Sequence, residues 1–197
     1  MAVKINHMIK QRPVKTGDKA GVDIQTDVAN AFEALFRNHW NRVCNIVYRL
    51  VGDPDEAEDL ALEAFWRLYG RYRSGEIQEN TGGWLYRVAT NLGYNALRAR
   101  KRRRAYEEEA AKELIVSNAG ENTAAEVDSR EEQERVRWVL GKIKPRSAQI
   151  LLLKYSGFSY SEIASAVDVA PSSVGALLVR AEKEFEKKYR ELEGRQP

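Results

Sequence analysis

Ser159-Tyr160-Ser161-Glu162-Ile163-Ala164-Ser165-Ala166-Val167-Asp168-Val169-Ala170-Pro171-Ser172-Ser173-Val174 carries two helix starts within sixteen residues. Ser159 and Glu162 form the capping-box pattern, a hydroxyl for the amide of the third helical residue and a carboxylate that reaches back. The short helix they open carries Ile163, Ala164 and Val167, and only Asp168 to Ala170 separate it from Pro171. Proline suits the first position of a helix because its missing amide is unpaired there anyway. The helix that follows carries Val174, Leu177, Leu178, Ala181 and Phe185. Two helices joined by so short a turn, after supporting helices, are a helix-turn-helix pattern. The supports are a helix with Val136, Val139, Leu140 and Ile143, predicted to stop at Pro145, and a short buried run from Ile150 to Leu153.

Upstream, Phe32, Leu35, Phe36, Trp40, Val43, Ile46, Val47, Leu50 and Val51 recur at steps of three and four and predict one stripe of a long helix, ended by Gly52. Asp53, Pro54 and Glu56 give a cap, a first-turn proline and a reciprocal carboxylate, a strong start for a second helix. It buries Ala57, Leu60, Ala61, Ala64, Phe65 and Leu68. Gly70 to Gly83 reads as a polar loop. A third helix starts near Trp84, buries Trp84, Leu85, Val88, Ala89 and Leu92, and runs into an arginine cluster. No strand pattern occurs. The prediction is an all-α protein of two small helical domains, residues 28–104 and 129–190, joined by a flexible acidic linker over 105–128. Residues 1–27 and 191–197 are expected as tails without fold.

Charge is unevenly distributed. Arg98, Arg100, Lys101, Arg102, Arg103 and Arg104 put six cations into seven residues, although the net charge is only +3. Asp53, Asp55, Glu56, Glu58, Asp59 and Glu63 form an acidic block upstream, and residues 107–128 a second one. Alternating blocks imply different partners. No apolar run approaches the roughly 18 to 20 residues that span a bilayer, and no secretory signal pattern opens the chain, so a cytoplasmic protein is expected. Cys44 is a lone cysteine among apolar positions, and His7 and His39 lie at no metal-ligand spacing from it; no disulfide, metal or other cofactor is expected. No nucleophile–base or phosphate-loop pattern is present, so an enzyme is not expected.

The run from Gly52 through Asp55, Glu56, Ala57, Glu58, Asp59 and Leu60 to Glu63, Ala64 and Phe65, the series Trp84, Leu85, Arg87, Ala89, Asn91, and Gly157-Phe158-Ser159-Tyr160-Ser161-Glu162-Ile163-Ala164 together resemble the sigma-70 family, in its extracytoplasmic-function (ECF) branch. The resemblance covers roughly residues 30–104 (region 2) and 130–188 (region 4). It implies an RNA polymerase sigma factor that directs promoter-specific initiation. The implied partners are core RNA polymerase, through its largest-subunit coiled coil and flap region, promoter DNA and an anti-sigma factor. It assigns Asp55, Glu58, Asp59, Leu60, Glu63 and Phe65 to core-polymerase contacts. It gives the loop Gln78 to Gly83, including Asn80 and Thr81, to reading the minus-10 element, with a base flipped from the non-template strand. Arg87, Asn91, Asn95 and Arg98 then contact single strand or backbone, and the acidic linker threads the RNA-exit channel.

The cluster including Lys101 and Arg102 is suited to phosphates, with affinity falling steeply with salt. Ser172, Ser173 and Ala176 are the early exposed candidates on the last helix, with Arg180 and Lys183 further along. The chain departs from the family at Asn95, where many relatives have Asp, and at Gly175, Ala176 and Leu177, where relatives usually have Lys, Ser and Arg. For the second departure three explanations stay open: readout through shape and thymine methyls, weak dependence on the minus-35 element, or an apolar surface for a protein partner. Two rivals stay open as well, a stand-alone helix-turn-helix regulator and a sigma-like adaptor without promoter reading.

Overall fold

The computed structural model describes residues 20–74, 80–111 and 124–194, which form seven helices. These are α1 (Ala20–Val51), α2 (Pro54–Arg73), α3 (Thr81–Ala111), α4 (Ala124–Leu140), α5 (Pro145–Tyr155), α6 (Tyr160–Val167) and α7 (Pro171–Glu193). Among the described residues there is no strand, and no single helix is long and apolar enough to cross a membrane.

Helices α1, α2 and α3 pack as one bundle around the predicted stripe. Its centre is aromatic. Phe36 stacks on Trp40 at 4.8 Å and tilts against Phe65 at 4.6 Å, while Phe32 meets Tyr69 edge-on at 5.1 Å. Burying one such ring contributes about 1.5–3 kcal/mol from area alone, and paired rings add about 0.5–1.5 kcal/mol. Gly52 ends α1 at φ +75°, a conformation other residues adopt only with strain, and the chain enters α2 through Asp53, whose carboxylate accepts the Glu56 amide at 2.8 Å.

Several predicted boundaries move. Helix α1 begins at Ala20, inside the segment expected to lack fold; residues 1–19 lie outside the described residues. The loop expected over 70–83 is shorter, because α2 continues to Arg73 and α3 starts at Thr81. The cause is Asn80, whose side-chain oxygen accepts the Gly83 amide at 3.1 Å and caps α3 three residues earlier than the two glycines suggest. The expected linker is helical at both ends, in α3 to Ala111 and α4 from Ala124, and residues 112–123 lie outside the described residues. Pro145 does not stop α4, which ends at Leu140; it opens α5.

Helices α5, α6 and α7 form the second bundle, with α4 laid along α7. Its core is aliphatic, built from Ile150, Leu153, Ile163, Val174 and Leu178 with Phe158. The capping box at Ser159 and Glu162 forms in both directions, and Asp168 takes the left-handed conformation (φ 58°) that turns the chain through 84° from α6 into α7. The two bundles lie against each other, α6 and α5 on α3 and α4 on α1. Tyr86 of α3 meets Phe158 edge-on at 4.5 Å, and Tyr94 donates its hydroxyl to the Ile143 carbonyl at 2.7 Å.

Candidate nucleic-acid interface

The outer face of α2 carries Asp55, Asp59 and Glu63, all exposed, with Glu58 and Leu60 half-buried beside them. These residues share a face because α2 turns Ala57, Ala61, Ala64, Phe65 and Leu68 into the core. Glu63 holds Arg67 at 2.8 Å. Glu56 does not belong to the open face: it pairs with Arg100, which also donates to the Val51 carbonyl at 2.5 Å. Phe65 is a correction to the expected contacts. It is completely buried between Phe32, Phe36 and Trp40, so it shapes the helix and touches no partner.

Along α3, Asn91, Asn95, Arg98 and Arg102 are exposed at steps of four, three and four, one continuous stripe, with Arg103 exposed beside it. Arg98 lies 5.4 Å from the centre of the Tyr94 ring. Lys101 points elsewhere: its ammonium is covered and sits 4.4 Å from the centre of the Trp138 ring of α4. Gln78 lies outside the described residues, as does the side chain of Arg104. Thr81 is half-buried in the first turn of α3.

Arg87 and Asn80 are engaged by the other bundle. Arg87 donates to the carbonyls of Ala166 at 2.7 Å and Ser165 at 3.4 Å, and Asn80 reaches the Ser165 carbonyl at 3.5 Å. A cation there answers the unpaired carbonyls at the end of α6. The approach is close: a Cβ on Gly83 would come within 2.5 Å of Ser165 Oγ. A second contact, unread in the sequence, closes the same seam. Arg42 of α1 binds Glu162 at 2.8 Å and lies 3.9 Å from the centre of the Phe158 ring. Burial pushes the Glu162 carboxyl up, but the Ser159 amide and the Arg42 guanidinium outweigh it and hold its pKa below the ordinary value. Beside them His39 Nδ1 shares a short hydrogen bond with the Tyr86 hydroxyl. Burial and then the charge of Arg42 lower the pKa of His39, while burial raises that of Tyr86.

On α7, Ser172, Ser173, Ala176, Arg180 and Lys183 are all exposed, with Val174, Leu178 and Ala181 turned to the core. Leu177 is half-buried and packs on the core. Val179 completes the outer stripe and is 50% exposed, which makes it part of the candidate reading face. Its signal in the sequence was its spacing, three residues from Ala176 and four from Lys183. Among the described residues no group of three or more His, Cys, Asp or Glu side chains converges as a metal site.

Comparison with known proteins matches residues 35–103 to the model of sigma-70 region 2 and residues 133–185 to that of sigma-70 region 4. The chain is 27% identical to the ECF RNA polymerase sigma factor SigW of Bacillus subtilis, over 98% of this chain and all of that protein. It is 33% identical to the RNA polymerase sigma factor CarQ of Myxococcus xanthus, over 84% of this chain and 90% of that one. Among solved structures, the sigma factor RpoE in complex with the anti-sigma factor NepR from Bartonella quintana matches with a TM-score of 0.48 at 18% identity, covering 81% of this chain and 97% of that chain.

Proposed function

From the premise that the chain belongs to the sigma-70 family, in its ECF branch, and is an RNA polymerase sigma factor, we propose how its surfaces divide that work. The exposed carboxylates of α2, Asp55, Asp59 and Glu63 with Glu58 and Leu60, dock on a basic surface of core polymerase. An acidic face repels itself until a basic partner covers it. The Asn91–Asn95–Arg98–Arg102 stripe of α3 follows the phosphates of melted minus-10 DNA, and Arg87, Asn80 and Thr81 read its bases. Helix α7 enters the major groove of the minus-35 duplex. Ser172 and Ser173 face base edges, Ala176 and Val179 meet thymine methyls, and Arg180 and Lys183 hold phosphates. The role is non-enzymatic.

The segregation of charge carries this reading: one exposed acidic stripe on α2 and one exposed polar and basic stripe on α3, on adjacent helices of one bundle. Arg87 Nε and Nη2 and Asn80 Nδ2 donate to α6 carbonyls, which holds both side chains against α6 and away from DNA. Helix α6 therefore leaves α3 before region 2 reads a promoter. A partner of the anti-sigma kind that holds α6 in place would silence the chain.

The test is transcription by purified core polymerase from a random-promoter library, with and without this protein. The reading predicts a protein-dependent set of start sites with a shared upstream element. Asp59→Lys combined with Glu63→Lys should keep the helical circular-dichroism signal and abolish co-purification with core polymerase. Undiminished co-purification would remove α2 from the docking surface.

A further inference from the structure

Helix α4 meets the first bundle at two cations that lack an acceptor. Lys101 Nζ of α3 and Arg137 Nε of α4 are both shut off from solvent and have no hydrogen-bond partner. A covered cationic donor without an acceptor is costly, and native structures rarely leave one so. Arg137 lies over the Gly52 turn so closely that a Cβ on Gly52 would stand 2.5 Å from its Cζ. Lys101 reaches the Trp138 indole of α4, its ammonium 4.4 Å from the ring centre. An indole face attracts a cation, but here Lys142, from the turn after α4, stands 5.2 Å from the same ring.

The charged groups around Lys101 do not relieve it. Lys142 and, on its own helix, Arg98 both carry the wrong sign. Arg100 is held by Glu56 and the Val51 carbonyl, and on α4 Glu131 is held by Arg135 at 3.3 Å. Glu134 borders the adjoining cavity, and neither it nor Glu131 bonds the ammonium. Val51 of α1 and Leu192 of α7, which wall the same cavity, carry no charge. Burial, then Lys142 and Arg98, bring the pKa of Lys101 down to about 8, so at neutral pH the covered ammonium keeps its charge. Arginine does not give up its proton, which makes Arg137 a fixed penalty and Lys101 an adjustable one.

We propose that Lys101 is a tunable weak point of the closed arrangement, in which the two bundles lie against each other: its covered, unpartnered charge opposes the seating of α4 on α3, and loss of that charge tightens closure. Helix α4 belongs with the second bundle, since it packs along α7 and Tyr189 of α7 donates to Glu132 of α4 at 2.9 Å. Trp138 and Lys142, which cover and repel Lys101, therefore leave together when the bundles part, and Lys101 returns toward the ordinary lysine value of 10.5. The closed form sheds a proton that the open form keeps, so closure should tighten roughly tenfold between pH 7 and pH 9. The consequence for promoter reading rests on the function proposed above, whereas the weak point itself is a property of the free chain.

Thiol labelling of the full chain tests this without polymerase or DNA. Thr90 is 2% exposed beneath Gln149 of α5, so in a Cys44→Ser background the thiol introduced by Thr90→Cys reacts when α5 lifts away. At pH 7, adding Lys101→Met should slow labelling tenfold or more with the helical circular-dichroism signal intact. The rate ratio between the chains with lysine and methionine, in which the titration of the thiol cancels, should fall about tenfold by pH 9. Lys142→Met, at an exposed position, should also slow labelling and move the pH response upward, and Arg103→Met, exposed on the same helix, should do neither. Labelling as fast or faster in the Lys101→Met chain, a ratio independent of pH, or an equal effect of Arg103→Met would overturn the proposal.

Discussion

The two bundles present their candidate DNA-reading side chains in opposite ways. On α7, Ser172, Ser173, Ala176, Val179, Arg180 and Lys183 all face solvent. At the start of α3, Asn80 and Arg87 are tied to the α6 backbone, while Asn91, Asn95 and Arg98 further along remain open. The open surface can meet duplex DNA without rearrangement; the tied one cannot. On the proposed reading one half of the molecule is ready, and the other needs a conformational change whose cost is set by a few polar contacts along one seam.

That contrast can be broken by removing support from one side only. Phe65→Ala empties the aromatic centre of the first bundle and should cost about 3–5 kcal/mol in a denaturant melt. Val179→Ala on the open face of α7 should stay within about 0.5 kcal/mol of the parent protein. The seam itself is cheaper. Arg42 and Glu162 are each more than a third exposed, so solvent screening limits their ion pair, and with the Phe158 contact Arg42→Ala should loosen closure by about 1 kcal/mol. This shifts the closed–open balance about fivefold, and affinity for single-stranded minus-10 DNA should rise by a similar factor. Binding titrations with fluorescent single strands check it, and Arg87→Ala should lower affinity even though it also opens the seam.

Changes of pH act on the same seam with smaller effects. The unfolded imidazole takes up a proton near pH 6.5, while the lowered pKa of His39 resists it in the fold. Stability should therefore fall as pH drops through 6.5 and below, and His39→Asn should flatten that slope. Glu162, with its pKa lowered, contributes above its ordinary value of 4.5 and loses that contribution as pH falls through the lowered one. At the alkaline end the sign is the same. Unfolded lysine keeps its proton to about 10.5 and Lys101 releases it from about 8, so stability should climb between those values and Lys101→Gln should abolish the climb. Thermal melts across pH in phosphate-free buffers measure all three.

Local signals carried the helix-turn-helix, the Ser159 capping box, the Asp53–Pro54 start of α2 and the apolar stripe of α1, because each rests on neighbours within one or two turns. The capping role of Asn80 is not legible in the sequence because Gly82 and Gly83 look like breakers, whereas a capped first turn accommodates both. Phe65 shows a pattern overruled: its spacing from Ala57, Ala61 and Leu68 places it in the core, and family resemblance drew it to the surface. The seam was illegible for a plainer reason. Arg42 and Glu162 are 120 residues apart, and Arg87 and Ala166 are separated by 79, so no periodicity links them and only packing of the two bundles brings them together. The exposed acidic and basic faces were readable as charge blocks, but not which members turn inward, as Glu56 and Lys101 do.

The direct measurement is a distance between the bundles. With Cys44→Ser, fluorophores on Arg67→Cys of α2 and Lys187→Cys of α7 report closure by energy transfer in the free chain and in an active initiation complex. A single distance in the free chain that changes once core polymerase and promoter are bound is the predicted result. A distance unchanged in a transcribing complex would mean that Arg87 and Asn80 never leave α6, and that region 2 reads DNA by some other surface.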